Sequence, residues 1–182
     1  MRLPPAPLLL LAALLGLSQC KKSDSGPIDP ASQLPPATQT GANTFGCLVN
    51  GQVWTPQGYN GRSNYSVSYD AGLNGGIFDL AVYRYNSGSS KAQYLRLYAN
   101  QASQAKSYSF RSPQQTDARF SDDKTPCSLS SRDSATTYRR GTLTITRLDL
   151  KAGIISGTFD FTLYQPGCDS VRVTQGRFGK KL

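Results

Sequence analysis

From position 44 onward, apolar and polar residues alternate in short runs with the period of two that belongs to strands buried on one face. The first run, FGCLVNGQVWTP, places Asn50 and Gly51 between CLV and QVW. That pair supplies the two positive-φ positions of a type I′ turn and predicts a hairpin. Further strands are predicted over 64–69 (NYSVSY), 77–85 (IFDLAVYRY) and 92–99 (AQYLRLYA). Residues 100–138 show no comparable pattern. Three longer runs follow at 136–148, 154–164 and 170–178, joined by LKAG and QPG, and these predict a meander. In the middle run Ile155, Phe159, Phe161 and Leu163 share one face, which is expected to point inward, and Gly157 marks a bulge or a close approach. The expectation is a single all-β domain over 44–182, an antiparallel β-sandwich or a partly open barrel.

The chain begins differently. Residues 6–17 are almost wholly apolar and follow Arg2, the only basic residue before Lys21. A membrane span needs roughly 20 apolar residues, so this shorter run reads as a secretory signal peptide, residues 1–19. Its last residues, Leu17, Ser18, Gln19 and Cys20, resemble the bacterial lipobox, with Gln19 standing where a small residue is usual. The resemblance implies that Cys20 becomes the lipid-bearing first residue of the mature protein. Buried acyl chains contribute about 0.8 kcal/mol per methylene, enough in pairs to hold a protein at a membrane. Residues 20–43 contain four prolines and no aromatic residue, a composition expected to form a disordered tether.

Composition sharpens the fold class. Glutamate is absent and the only methionine is Met1, which removes strong helix formers. On FGCLVNGQVWTP, GTLTITRLD, IISGTFDFTL and VRVTQGRF, the chain resembles a family of small Bacteroidota lipoproteins of unassigned function. That resemblance implies a β fold and a place in the cell envelope, lipid-anchored to the outer membrane on its periplasmic or external face. It carries no activity, and no functional residue beyond the lipobox cysteine. The single aspartate in KKSDS is only a faint likeness to the acidic export signal of that phylum, so the membrane face stays open.

With Cys20 assigned to lipid, Cys47, Cys127 and Cys168 remain. TPCSL and QPGCD lie in proline-bearing loops, whereas Cys47 falls in the alternation of the first strand. Cys127 is therefore expected to pair with Cys168 in an oxidising compartment, and Cys47 to be a small buried hydrophobe.

Histidine is absent from the whole sequence, and with it the usual general base near neutral pH and the commonest zinc ligand. Ser-His-Asp chemistry and paired glutamates are excluded, so no enzyme, cofactor or metal site is expected. Asp122 and Asp123 in FSDDKTP read as a solvated turn. Asp79 and Asp160 fall within strands and are expected to face solvent or bond a neighbouring Tyr or Thr. The YDAGLNGG loop offers Asp70 and Asn74 to calcium without the spacing of a calcium loop.

Two strands are rich in Tyr and Arg, one through Tyr83, Arg84 and Tyr85, the other through Tyr94, Arg96 and Tyr98. Alternation puts Tyr94, Arg96 and Tyr98 on one face. Such a face can stack sugars and pair anions, or simply cover a sheet with good strand formers. The net charge of +9 favours anionic partners in an envelope, such as an anionic glycan, and the compartment disfavours nucleic acid. Two functions fit: a membrane-tethered module binding a glycan, lipid or protein, or a structural or accessory subunit of an envelope complex with no small ligand.

Overall fold

The computed structural model describes residues 28–85 and 90–182. The expected signal peptide and Cys20 lie outside the described residues. A single 3₁₀ turn, Pro30–Gln33, precedes eleven strands: β1 Thr44–Val49, β2 Gln52–Trp54, β3 Tyr65–Asp70, β4 Ile77–Tyr85, β5 Ala92–Ala99, β6 Ser107–Ser109, β7 Thr116–Asp122, β8 Ser128–Ser130, β9 Tyr138–Asp149, β10 Ile154–Tyr164 and β11 Val171–Lys181. They form two antiparallel sheets, one of six strands ordered β2-β1-β11-β10-β9-β6 and one of five ordered β3-β4-β5-β7-β8. The sheets pack face to face as a β-sandwich and do not close into a barrel.

The predicted hairpin is present, with Asn50 at φ 49° and Gly51 at φ 81° between β1 and β2. The meander is β9-β10-β11. Ile155, Phe159, Phe161 and Leu163 are all buried, which is the inward face that the alternation of β10 requires. At Gly157 the register with β9 shifts, and an added Cβ would lie 2.3 Å from the Thr144 carbonyl oxygen and 2.7 Å from the Phe178 ring. The position takes only glycine because a strand and a ring both close on its backbone.

The core is one continuous layer shared by both sheets. Phe45 on β1 meets Trp54, Tyr65 and Phe159 with ring centroids 5.8, 5.6 and 5.5 Å away, and Phe78 on β4 meets Phe178 on β11 at 5.4 Å. Leu80, Leu95, Leu97, Leu143 and Ile145 fill the remainder.

Two expectations need correction. Residues 100–138 are not uniformly irregular, since β6, β7 and β8 lie within them. Strand β7 escapes the apolar pattern because Asp117, on the strand, is buried and accepts hydrogen bonds from the hydroxyls of Ser130 at 2.7 Å and Ser131 at 3.2 Å. A buried carboxylate satisfied in this way costs far less than its composition suggests.

The disordered tether expected over 20–43 does not extend to residues 30–43. Leu34 is buried, and the missing side chain of Gly46 leaves room for Pro35, whose Cδ lies 2.7 Å from where a Cβ would stand. Two guanidinium groups bond carbonyls of this segment, Arg147 to Gln39 at 2.7 Å and Arg177 to Pro35 at 3.5 Å. The outer side of β1 is thereby covered.

Gly157→Ala is expected to destabilise the domain by about 1 to 3 kcal/mol through overpacking, read as a lowered midpoint in urea. Replacing Arg147 and Arg177 together by Ala should free residues 30–43, seen as faster proteolysis and amide exchange there with the β-sheet amides unchanged.

Candidate binding cleft

At one end of the sandwich the apolar layer stops before the sheets do. There the β1–β2 turn, the β7–β8 connection and the β10–β11 connection converge around a cleft of about 510 Å³. The Cys127–Cys168 disulfide, with Cα atoms 5.9 Å apart, joins the second connection to the third. It therefore ties the five-stranded sheet to the six-stranded one at the rim. Val49, Phe120, Leu129 and Val171 form the apolar walls, and Asn50, Gln93, Asp122, Asp169 and Ser170 provide polar groups.

Two of these polar side chains, Gln93 and Asp122, are linked to each other and, across the sheets, to Trp54. The Trp54 indole N–H donates to Gln93 Oε1 at 2.9 Å, and Gln93 Nε2 donates to Asp122 Oδ2 at 2.6 Å. Asp122 is held from its other side, since Oδ1 accepts from the Lys124 amide at 2.9 Å. The turn begins only at Asp123, after β7 ends, so Asp122 is a half-buried strand-end residue rather than part of a solvated turn, and it lines the cleft. Asp123 instead accepts from the Ala92 amide at 3.2 Å.

A smaller hollow of about 400 Å³ shares Val49, Asn50 and Gln93 with the cleft and adds Trp54, Gln52 and Arg84. Arg84 donates from Nη1 to the Val53 carbonyl at 3.1 Å, while its buried Nε has no hydrogen-bond partner. Cys47 sits beneath, fully buried, and burial pushes its thiol far above the usual range despite the nearby Arg84 charge. A thiol held protonated is a poor nucleophile.

The sequence groups Arg84 with Tyr83 and Tyr85, reads Asp122 as part of a solvated turn and gives Gln93 no role, although the signal for Arg84 and Gln93 is there. Arg84 continues the inward register of Leu80 and Val82, and Gln93 that of Leu95 and Leu97, so period two points both polar side chains between the sheets. They do so where the core ends.

The predicted surface residues Tyr94, Arg96 and Tyr98 do share the outer face of β5. Arg96 and Tyr98 are engaged from within the protein, while Tyr94 is exposed. Arg96 forms a two-pronged ion pair with Asp79, Nε to Oδ1 at 2.9 Å and Nη2 to Oδ2, and this raises the guanidinium pKa. Asp79 thus pairs with an arginine rather than with a Tyr or Thr; Asp160 is exposed. The Arg132 guanidinium lies 4.5 Å from the Tyr98 ring centre. Tyr83 is buried under residues 58–62, its hydroxyl donating to the Arg62 carbonyl at 2.7 Å.

Asp70 Oδ1 accepts from the Gly72 amide at 2.9 Å within its own turn. Among the described residues no group of three or more His, Cys, Asp or Glu side chains is placed to hold a metal.

Residues 85–180, from the end of β4 almost to the end of β11, match the family described as Domain of unknown function (DUF6252). The chain belongs to the DUF6252 family. No curated protein and no solved structure matches it. The DUF6252 match contains both disulfide cysteines, Gln93 and Asp122, and so most of the cleft, while Val49 and Asn50 supply its remaining wall.

Reduction of the Cys127–Cys168 bond, which closes a 41-residue separation, should cost about 4 kcal/mol by chain entropy. The check is the urea midpoint of the Cys127→Ser, Cys168→Ser variant. Cys47 should resist maleimide in the native state and react fully in denaturant, as read by peptide mapping.

Proposed function

We propose that the protein is an envelope lipoprotein, held at the membrane through Cys20 and working as a tethered binding module for a short glycan. The observation that supports the reading is the disulfide-rimmed cleft, in which the amide of Gln93 and the carboxylate of Asp122 stand side by side above apolar walls. A cleft of about 510 Å³ falls within the roughly 300 to 1,000 Å³ of small-ligand sites. An amide beside a carboxylate offers donors and acceptors to adjacent hydroxyl groups, and Val49, Phe120 and Leu129 offer apolar cover to the C–H face of a sugar ring. Trp54 holds Gln93 in place, which lowers the entropy lost on binding. Binding of this kind uses no general base, in keeping with a sequence that lacks histidine.

A second reading, a structural or accessory subunit of an envelope complex, draws support from the outer face of β5. There Arg96 is paired with Asp79 and Tyr98 is covered by Arg132. A face already paired with itself suits packing against a neighbour more than capture of a charged ligand.

A glycan-array screen followed by calorimetry on a retained glycan separates the two. Gln93→Ala and Asp122→Asn should each weaken binding by about tenfold, the equivalent of one net hydrogen bond. Retention of no glycan, or unchanged affinity in both variants, would remove the binding reading. For the anchor, Cys20→Ser should abolish incorporation of labelled palmitate and leave the precursor uncut.

A further inference from the structure

Among the described residues the sandwich has four edge strands, β2, β6, β8 and β3. The first three are three residues long, whereas β3 has six, Tyr65–Asp70. Short edges give a second chain little to pair with, and natural sheets otherwise blunt their edges with Lys, Pro or bulges. Strand β3 carries none of these. Its register with β4 is unbroken, and no Lys or Arg occurs between Arg62 and Arg84 in a chain with 20 such residues. The strand itself carries none of the basic charge that makes copies of this protein repel each other, and Lys180, whose Nζ lies 4.9 Å from the Tyr65 ring centre, stands at one end of it.

Backbone direction along β3 follows from its neighbour. Tyr83 N–H donates to the Asn64 carbonyl at 3.0 Å, and Tyr65 stands opposite Val82, so the even-numbered residues bond β4. Tyr65, Val67 and Tyr69 therefore turn their N–H and C=O groups to the open side. Tyr65 shows it directly, because its carbonyl accepts from the Ser63 hydroxyl at 2.8 Å and its amide reaches the same oxygen at 3.4 Å.

The sequence of that edge is Tyr65-Ser66-Val67-Ser68-Tyr69, which reads the same in both directions. A two-fold axis at Val67 would place Val67 opposite its own copy, Ser66 opposite Ser68 and Tyr65 opposite Tyr69. The three residues with outward-facing amides fall opposite one another in that register and in no register shifted by one. Palindrome and hydrogen-bond alternation thus have the same centre.

We propose that the protein forms a symmetric homodimer by antiparallel pairing of β3 with β3 of a second copy, in the register that sets Val67 against Val67. Main-chain hydrogen bonds supply the attraction, as in other strand additions, and the interface is self-complementary as a two-fold requires. The outward hydroxyls of Ser66 and Ser68 meet across it, a favourable cross-strand pair. The Ser63 hydroxyl gives up its contact with Tyr65 when the second strand arrives. Two five-stranded sheets become one of ten. The shallow hollow lined by Ser66, Ser68, Asp79, Ala81 and Arg96, which abuts this edge, then meets its copy at the axis.

The register makes the test specific. Ser66 of one copy and Ser68 of the other form a pair without mutual hydrogen bonds, with Cα atoms about 4.5 Å apart, within disulfide range. Full-length Ser66→Cys and Ser68→Cys chains, both with Cys20→Ser and kept in mild detergent, are oxidised separately and as a mixture. A disulfide-linked dimer should form in the mixture and not with either chain alone, and reductant should dissolve it. In sedimentation equilibrium the unmodified chain should show a monomer–dimer equilibrium. Ser66→Lys with Ser68→Lys, both exposed, should abolish it at unchanged melting temperature. Equal cross-linking by a single variant, no cross-link in the mixture, or a chain monomeric at its highest soluble concentration would each overturn the proposal.

Discussion

The structure depends on one aromatic layer between two sheets. Phe45 is its pivot, touching a ring from β2, one from β3 and one from β10. A lone sheet of this length would leave an apolar face in water, and burying such a face is worth roughly 25 cal/mol per Å². Each sheet is therefore the other's cover. The alternation of Phe, Leu, Ile and Val along β4, β5, β10 and β11 exists to meet that condition, and the close approaches at Gly157 and Gly176 let the Phe178 and Phe159 rings reach the layer.

The cleft is a consequence of where this layer ends. Past Leu95 and Leu129 the inward positions are Gln93 and Arg84, which cannot close the gap as a further Leu would. Polar inward residues need partners: Gln93 finds them in Asp122 and the Trp54 indole, and Arg84 in the Val53 carbonyl. The disulfide fixes the distance between the two loops at the mouth. Without it the loops would be joined only through the sheets that carry them, so the shape of the mouth rests on covalent chemistry more than on packing.

The same accounting explains the outer surface of the five-stranded sheet. Arg96 reaches Asp79 diagonally across the β4–β5 pair, Arg119 lies 3.8 Å from Asp117, and Arg132 stacks on the Tyr98 ring. Exposed pairs of this kind add little stability. Their effect is to offset two of the three arginine charges on that face, while β3 at its border turns main-chain groups outward instead.

The local elements were legible in the sequence. The Asn50-Gly51 turn needs positive φ at two consecutive positions and few residues supply it; β4, β5 and β10 show period two over eight or more residues; and two proline-bearing loops with one cysteine each admit a single pairing once Cys47 is placed in a strand. Each of these signals is carried by neighbours in the chain. What lay beyond reach involves distant partners. Strand β7 holds a buried aspartate that the Ser130 and Ser131 hydroxyls and the Arg119 guanidinium make tolerable. Residues 30–43 look disordered until Gly46 opens a place for Pro35 and Arg147 and Arg177 bond their carbonyls. Tyr94, Arg96 and Tyr98 share a face by periodicity, yet Asp79 and Arg132, brought by other strands, decide what that face has left to offer. Alternation along a strand tells which side a residue is on, and only the packing of strands far apart in sequence determines what meets it there.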